Sequence, residues 1–337
     1  MSSAAKPLTS RDLARLIGVS QSAVSRAFTP DASISAPLRQ RILDAASRFG
    51  YEPNAIASML STRRNNMVGL VFSNLRNPFY PGFLEKLTRA LQEQGLQTLL
   101  FNITPGSDVK QQLRALRVYK VDALVIVGST VLSSVDLAWA AEGRHALLLN
   151  RVAPDSGLPS VCCDDALGAR EIATHFHQCG ARAVGYVAGL GQTSVGLDRR
   201  NSFIARAAEL GMTLAGVTVA GDYSYAAGYR AAQELVAGAR PDAIMFANDI
   251  LAIGGMDALR DACGIRVPDD IMIAGFDDIE MASWPRYDLT TYRQPVDELI
   301  ACAVRLVGDA GHTRPGPSIF RLPGQIVIRT TTKQRVP

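Results

Sequence analysis

Aromatic and charged side chains follow several predicted strands of this 337-residue sequence, and their types suit the binding of a small polar molecule. The carboxyl ends of parallel strands meet at one edge of a sheet, so residues placed there converge on a common ligand. Two have an alternative interpretation, since Asn248 could cap a helix and Asp164 could be a turn residue. Trp284 and Tyr287 could line the same pocket or simply pack. The candidate ligand residues are Phe79, Tyr80, Asp164, Arg199, Tyr223, Asn248 and Asp277, with a helix expected to open at Arg199.

The sequence contains only incomplete matches to the motifs that are typical of enzymes. The segment GLGQTSVG at 189–196 is similar to a dinucleotide loop, but its third glycine comes two positions late. Ser194 lacks the glycine two places earlier that a nucleophile elbow needs. His175 and Cys179 lie one helical turn apart, yet the sequence shows no third ligand for a metal. We therefore expect no catalytic residue, no cofactor and no bound metal.

Basic charge is confined to the first fifth of the chain. Residues 1–66 contain nine Lys and Arg against four Asp and Glu, a net charge of +5, whereas the remainder contains 26 basic and 27 acidic residues. This distribution is expected if the leading segment meets a polyanion and the rest of the chain does not. Basic tails are common, so charge alone is weak evidence for a polyanion partner. The arrangement of residues within the segment has to provide further evidence.

Cap residues and apolar spacing predict three short helices in residues 9–50. Thr9 and Asp12 form a T-x-x-D capping box before the first helix, and Gly18 ends that helix. Ser20 caps a second helix so close behind that the two must cross as a helix-turn-helix. Ser35 then caps a third helix. Its predicted buried stripe is Leu38, Ile42, Ala45, Ala46 and Phe49.

The second helix leaves a polar face opposite its apolar one. A recognition helix puts its N-terminal side chains into the major groove, where Gln and Arg can each pair with a base edge. A solvated face on a small helical bundle is the alternative interpretation. The polar face consists of Gln21, Ser22, Ser25 and Arg26.

Residues 51–64 predict a helix that is too short to be stable alone. Pro53 favours a turn, Asn54 is placed as the N-cap, and residues 55–60 allow about two helical turns. Such a segment needs outside support, because helix nucleation is costly and few hydrogen bonds offset it. Leu60 would be an exposed apolar residue unless it inserts between base pairs in a minor groove.

From Met67 onward, short apolar runs alternate with amphipathic stretches, and the alternation restarts after residue 180. Each strand–helix–strand repeat requires a right-handed parallel crossover. Two doubly wound parallel sheets are therefore expected, with a ligand cleft beyond their strand ends. Five cysteines without disulfide or metal spacing, and the lack of a long apolar run, indicate a soluble intracellular chain.

The sequence resembles the LacI/GalR family of bacterial transcription regulators over nearly its whole length. The resemblance rests on LTSRDLARLIGVSQSAVSRAF, YEPNAIASMLSTRR, MVGLVFSNLRNPFYPGFLEKL and, at 289–295, LTTYRQP. It implies an all-α helix-turn-helix head with a short hinge helix, then an α/β two-lobed core like the periplasmic binding proteins. The implied boundaries are 1–50 for the head, 51–66 for the hinge and 67–337 for the core. Lobe 1 would comprise about 67–164 and 290–322, and lobe 2 about 165–289 and 323–330.

The resemblance also implies roles for individual residues. The seven strand-end residues coincide with the family's effector contacts, and Asp165 replaces the family's usual Asn. Ser58 stands where many members carry an Arg in the hinge, so a minor-groove contact is expected to be missing there. The implied DNA-contacting residues are Thr9, Ser20, Gln21, Ser22, Ser25, Arg26, Asn54, Ala57 and Leu60.

The function that the resemblance implies is repression of transcription. A homodimer would bind double-stranded, palindromic operator DNA, because one helix-turn-helix reads only a half-site. A small molecule between the core lobes would control operator affinity. We expect a sugar or sugar acid as this effector, with a nucleobase as the alternative, and no membrane partner. An enzyme is the first rival interpretation, and a secreted solute-binding protein, which would share the cleft but not the basic head, is the second.

Overall fold

The computed structural model describes residues 8–29, 32–52, 65–72, 75–102, 117–128, 145–190, 193–308 and 318–332. Contacts along the chain divide it into two compact units, residues 1–65 and 66–337. We call the first unit the head and the second the core. Among the helices within the described ranges, none combines the length and the apolar character needed to span a lipid bilayer.

The described part of the head contains the expected helix-turn-helix followed by a longer helix. Leu13, Val24 and Ile42, one from each helix, are fully buried and form the centre of a small apolar core. The three helices are α1 (Ser10–Ile17), α2 (Gln21–Ala27) and α3 (Ala36–Phe49).

The predicted caps of α1 and α2 are confirmed. Thr9 Oγ1 accepts a hydrogen bond from the Asp12 N–H at 3.3 Å, while the Thr9 N–H donates to Asp12 Oδ2 at 3.1 Å. Gly18 adopts the left-handed conformation (φ 68°) that ends α1. Ser20 Oγ accepts from the Ala23 N–H at 3.1 Å, which starts α2 only a few residues later.

One prediction about α3 holds only in part, and another was wrong. Ser35 occupies the N-cap position but makes no capping hydrogen bond with its side chain. Pro37, two residues later, has no N–H to donate, so one of the two usual partners of a capping hydroxyl is missing. Phe49 is 43% exposed rather than buried. The Arg48 guanidinium lies 5.6 Å from the centre of the Phe49 ring and covers part of it.

The core contains parallel sheets, as the alternating pattern predicts. Six strands form sheet 1 and four form sheet 2, and a separate antiparallel pair completes the described strands. In chain order the strands are β1 (Met67–Phe72), β2 (Gln97–Asn102), β3 (Ala123–Val127), β4 (Ala146–Leu149), β5 (Ser160–Cys163), β6 (Ala183–Ala188), β7 (Thr213–Val219), β8 (Ala243–Phe246), β9 (Met272–Ala274), β10 (Thr291–Arg293), β11 (Ile319–Leu322) and β12 (Gln325–Val327).

The strand order shows how the chain passes from the first sheet to the second and back. Sheet 1 has the order β11–β5–β4–β3–β1–β2 and sheet 2 the order β7–β6–β8–β9, while β10 pairs with β12. Since β11 adds to the edge of sheet 1 beside β5, the chain returns to the first sheet after completing the second. The proposed lobe boundaries stay a prediction.

Helices connect the strands of both sheets. They are α4 (Phe79–Glu93), α5 (Asp165–Gln178), α6 (Ser194–Glu209), α7 (Tyr225–Gly238), α8 (Asp249–Asp257) and α9 (Val296–Gly308). The prediction that a helix opens at Arg199 was wrong, because α6 begins at Ser194. Thr193 caps it there, with Oγ1 accepting from the Gly196 N–H at 3.2 Å. Arg199 consequently lies in the second turn of α6 and is buried.

Close packing of α7 on α8 depends on glycine. A Cβ added at Gly228 of α7 would lie 2.7 Å from the Leu251 Cα of α8 and closer still to the Leu251 carbonyl oxygen. A Cβ at Gly254 of α8 would in turn meet the Tyr225 carbonyl of α7. The backbones of the two helices therefore approach each other more closely than larger residues permit.

Replacing Gly228 with Ala is expected to destabilise the core by about 1–3 kcal/mol, because backbone atoms cannot move aside as a flexible side chain can. The measurement is the free energy of unfolding by urea. Gly238→Ala is the matched control in the same helix, since nothing lies within 4 Å of its added Cβ. If the two variants were equally stable, the contact with Leu251 would not be limiting.

Candidate functional site

The residues predicted to contact DNA lie on an exposed surface of the head. The exposed residues are Thr9, Ser20, Gln21, Ser22, Ser25 and Arg26. The opposite face of α2 packs into the small apolar core, so the sequence correctly separated the two faces. Asn54, Ala57 and Leu60 lie outside the described residues, and their contacts stay a prediction.

Gln21 is held in one orientation by α1. Arg11 Nε donates to Gln21 Oε1 at 3.1 Å, and Gln21 Nε2 donates to Ser10 Oγ at 3.1 Å. Because a guanidinium only donates, the first bond fixes which end of the amide is the oxygen. One lone pair and one N–H remain, which is the donor–acceptor pair that matches an adenine edge. Helical spacing does not connect Arg11 with Gln21, so the sequence analysis missed this positioning residue.

Arg26 is anchored to the backbone at two points. Its Nε donates to the Ser22 carbonyl at 3.2 Å, and its Nη1 donates to the Ser33 carbonyl at 3.3 Å. The side chain therefore lies along α2 toward the segment before α3, and its remaining N–H groups are available to a partner. An arginine in this state can contact a guanine edge or a phosphate.

In the core, the predicted ligand residues surround the strand ends. Four of these side chains lie close enough to interact electrostatically, those of Tyr80, Arg199, Tyr223 and Asp277. Burial raises the pKa of the Tyr80 hydroxyl well above its ordinary value. Phe79 packs edge-on against Tyr80, with ring centres 5.4 Å apart. The sequence thus correctly grouped residues that are far apart along the chain.

Asp164 and Asn248 both cap helices. Asp164 Oδ1 accepts from the Leu167 N–H at 2.9 Å at the start of α5. Asn248 Oδ1 accepts from the Leu251 N–H at 3.2 Å at the start of α8. The capping interpretation therefore holds for Asn248, and Asp164, whose alternative interpretation was a turn residue, is a helix cap as well. The Asn248 side chain also lies beside Asp277 and helps to lower the pKa of that carboxyl.

Arg199 is the buried cation of this site, with 4% of its surface exposed. Its Nε donates to Asp165 Oδ1 at 2.7 Å, and its Nη1 donates to the Ala247 carbonyl at 2.7 Å. Nη1 also lies 3.5 Å from Asp277 Oδ1, and the guanidinium carbon lies 3.6 Å from the centre of the Phe276 ring. Asp165, a departure from the family pattern, is therefore the closest charge partner of Arg199.

Asp277 has an unusual backbone and an unusual charge environment. Its φ of 112° lies in a region that side chains rarely adopt, and the residue is 5% exposed. Gln294 Nε2 donates to Asp277 Oδ1 at 2.7 Å. Burial raises the pKa of Asp277 to about 6, while Arg199 and the Gln294 hydrogen bond act in the opposite direction. Gln294 is a further site residue that the sequence analysis missed.

A cavity of about 740 Å³ opens beside Phe79, Asp277 and Gln294, and we call it the cleft cavity. Its other walls come from the first turns of α4, the segment 293–298 and the segment 323–325. The volume lies within the range of small-molecule sites. An aromatic ring, a carboxylate and an amide on one cavity wall can together orient a hydroxyl-bearing ligand.

Other candidate residues lie outside the lining of the cleft cavity. Tyr287 donates to Asp257 Oδ2 at 3.1 Å, which supports the packing interpretation, and Trp284 is 46% exposed. His175 Nε2 lies 2.8 Å from Thr332 Oγ1 and 3.6 Å from Cys179 Sγ. Over the described part of the chain, no three His, Cys, Asp or Glu side chains are grouped to hold a metal ion.

Each of the two units matches the model of a known protein family. The model of bacterial regulatory proteins, lacI family, matches residues 9–54, and that of the periplasmic binding protein-like domain matches residues 173–332. The HTH-type transcriptional repressor PurR of Photobacterium profundum is 29% identical over 334 residues, which cover 96% of this chain and 98% of the relative. The chain belongs to the lacI family of bacterial regulatory proteins.

Other lacI-family proteins align over the head and the core together. The ribose operon repressor of Escherichia coli (strain K12) is 29% identical over 302 residues, which cover 88% of this chain and 91% of the relative. A crystal structure of the lac repressor dimer bound to operator and the anti-inducer ONPF has a TM-score of 0.86 at 25% identity. It covers 97% of this chain and 99% of its own. The predicted fold class is confirmed.

For this lacI-family head, Arg11→Ala is expected to weaken selection of the base that Gln21 is predicted to contact, because the amide loses its fixed orientation. Operator affinities of Arg11→Ala, Gln21→Ala and the double variant would give a coupling energy of about 0.5–3 kcal/mol. Arg11→Lys is the matched control, since it keeps the positive charge on α1 but loses the Nε–H donor that bonds Gln21. Coupling near zero would reduce Arg11 to a general electrostatic contact.

Asp277→Asn should stabilise the core progressively as the pH rises from 4 to 7.5. A folded-state pKa of about 6, above the ordinary 3.8, means that the native carboxyl stabilises the fold at low pH and loses this contribution as it ionises. The difference between those values corresponds to at most about 3 kcal/mol. Thermal unfolding midpoints at both pH values test this. Asp269→Asn, at an exposed partner of Arg266, is the control.

Proposed function

We propose that this lacI-family protein is a transcriptional repressor that binds palindromic operator DNA as a homodimer and whose operator affinity is controlled by a small molecule in the core. The observation that carries the proposal is the exposed polar face of α2, where Gln21 and Arg26 retain groups suited to base edges. One head reads only a half-site, so a pair of heads matches two-fold DNA. The likeness to the lac repressor dimer bound to operator supports the same assembly.

The cleft cavity supports a small polar effector. Phe79, Asp277 and Gln294 share its wall, with Arg199 behind Asp277. Rings and carboxylates in this arrangement favour a sugar, with a nucleobase as the second candidate. One relative is named as the repressor of a ribose operon, which agrees with a sugar. Such an effector changes operator affinity only by as much as it prefers one state of the core over the other.

The hinge proposal completes the mechanism. Residues 55–60 would fold as a short helix only on DNA, with Leu60 inserted in the central minor groove. Folding on the operator would make the hinge the step that the core controls, because a marginal helix responds to small changes in free energy. Regulation would then act on hinge folding rather than on the base contacts of α2.

Selection of DNA from a random pool by the purified full-length chain tests the proposed function. We expect a palindromic sequence to be enriched, with half-sites about one helical turn apart or a multiple of it. A solute-binding protein would enrich nothing. Enrichment of an asymmetric half-site alone would contradict the homodimer.

Arg26→Ala is expected to cost about 1–3 kcal/mol of affinity for the selected operator and to relax the preference at one base pair in each half-site. Fluorescence anisotropy with the operator and with point-substituted operators measures both effects. Arg266→Ala removes an equal charge from an exposed position of the core and should leave the affinity unchanged. An equal loss on every sequence would instead identify Arg26 as a phosphate contact.

A further inference from the structure

Buried carboxyl groups outnumber the cation that they share at this site. Asp165, Asp249 and Asp277 are each at most 5% exposed, and Arg199 contacts the first and last of them. If all were ionised, this set of four groups would carry a net charge of −2. Buried charge without compensation is costly, so a ligand that added negative charge would increase this cost.

Most of the hydrogen-bonding capacity of Arg199 is already used, so little of it is available to an anionic ligand. Its Nε is bound to Asp165, its Nη1 is bound to the Ala247 carbonyl, and its face is covered by the Phe276 ring. Nη1 already lies 3.5 Å from Asp277 Oδ1. A ligand carboxylate or phosphate that reached the remaining N–H groups would lie beside the Asp277 carboxylate, and the repulsion would offset the attraction.

The cations at the rim of the cleft cavity are also paired. Lys86 lies 2.8 Å from Asp297, and Arg293 lies 2.6 Å from Asp278. Among the described residues that line the cleft cavity, no cation is therefore left without a carboxylate partner to receive an anionic group.

The unmet hydrogen-bonding capacity of the cavity wall is that of an acceptor. Gln294 is 2% exposed and gives its Nε2 to Asp277, which fixes Oε1 as the other end of the amide. Among the described residues that line the cavity, Gln294 Oε1 is the buried side-chain atom that has no hydrogen-bond partner. Outside that lining, Asp165 Oδ2 and the donor Asn248 Nδ2 also lack a partner. Since buried polar atoms are nearly always paired, Gln294 Oε1 indicates that a donor on the ligand completes the site.

We infer that the effector bears no carboxylate or phosphate group and presents a hydroxyl or protonated amine to Asp277 and Gln294. This inference rests on the proposed function, because it concerns the ligand of the same cleft. It removes sugar acids from the effector classes that the sequence suggests. It also predicts an order of binding affinity. An amine ligand should bind at least as tightly as the corresponding alcohol, and both should bind more tightly than the acid.

Matched compounds that differ only in charge test the inference. The full-length protein is titrated at pH 7.5 with glucose, glucosamine and glucuronate, with the corresponding galactose set, and with adenosine and its 5′-monophosphate. Binding is followed by the thermal unfolding midpoint and by release or retention of the selected operator. We expect each acid or phosphate to bind at least tenfold more weakly than its neutral or amine counterpart. An anionic member that binds as tightly as its neutral counterpart would overturn the inference.

Asp165→Asn tests the electrostatic cause. The amide keeps the size of the side chain and can still accept from Arg199 Nε, but one negative charge is removed. The disadvantage of the acids should shrink at least fivefold in this variant, and it should not change in the exposed control Asp269→Asn. An unchanged ratio in Asp165→Asn would overturn the explanation, even if the wild-type order held.

Failure of this inference and failure of the proposed function are distinguishable. A chain that enriches operator DNA but binds a sugar acid or a phosphate refutes the inference alone. A chain that enriches no DNA yet discriminates against acids refutes the proposed regulator and leaves the charge preference of the cleft intact.

Discussion

The buried Arg199 guanidinium is the interaction on which the ligand side of the core depends. It joins α6 to the start of α5 through Asp165, to the end of β8 through Ala247, and to the loop after β9 through Asp277. Burial by itself lowers the pKa of Arg199, but the two carboxylates raise it, so the group stays charged. Loss of the guanidinium itself would leave the buried carboxylates of Asp165 and Asp277 without a cation, at a cost of about 3–5 kcal/mol. This pairing therefore fixes the relative positions of the elements that form the cleft.

The carboxylates around Arg199 are less well compensated than the guanidinium itself. Burial raises the pKa of Asp165, of Asp249 and of Asp277, and Arg199 counteracts this only in the first and last. Asp249 relies on neutral donors instead, the Thr291 hydroxyl at 2.5 Å and the Ile279 N–H at 2.9 Å. Such an arrangement is poor for stability, and natural proteins retain such compromises mainly at functional sites. The charge excess is thus better explained by the cleft's ligand than by the fold.

Features encoded by neighbouring residues could be predicted from the sequence, and pairings across the chain could not. The Thr9–Asp12 capping box and the parallel strands follow from local spacing, and the grouping of Tyr80, Arg199 and Asp277 follows from a general property of parallel sheets. Asp165 was noticed only as an exception, because its partner lies 34 residues away on another helix. Gln294 was missed for the same reason, since Asp277 is 17 residues away in a loop.

Local sequence also predicted the starts of two helices incompletely or incorrectly. Ser35 satisfies the composition of an N-cap, but Pro37 removes a donor that the cap would use. The start of α6 was placed at Arg199, although Thr193 carries the side chain that caps the helix. In the first case the residue type was read correctly and a neighbour within the first turn changed the outcome, whereas in the second the capping residue itself was not recognised. Boundaries are therefore less predictable than the existence of the elements.

The head shows how a small unit can present ordered side chains to DNA. Its apolar core centres on Leu13, Val24 and Ile42, which is little burial for a unit of this size. Arginines add polar cross-links: Arg41 Nη2 donates to the Ile17 carbonyl at 2.6 Å, and Arg39 donates to the carbonyl of Ala32 at 3.1 Å. These bonds tie α3 to the end of α1 and to the segment that precedes α3. Side chains held in this way lose less conformational entropy when they bind, so the same contacts that stabilise the head also favour recognition.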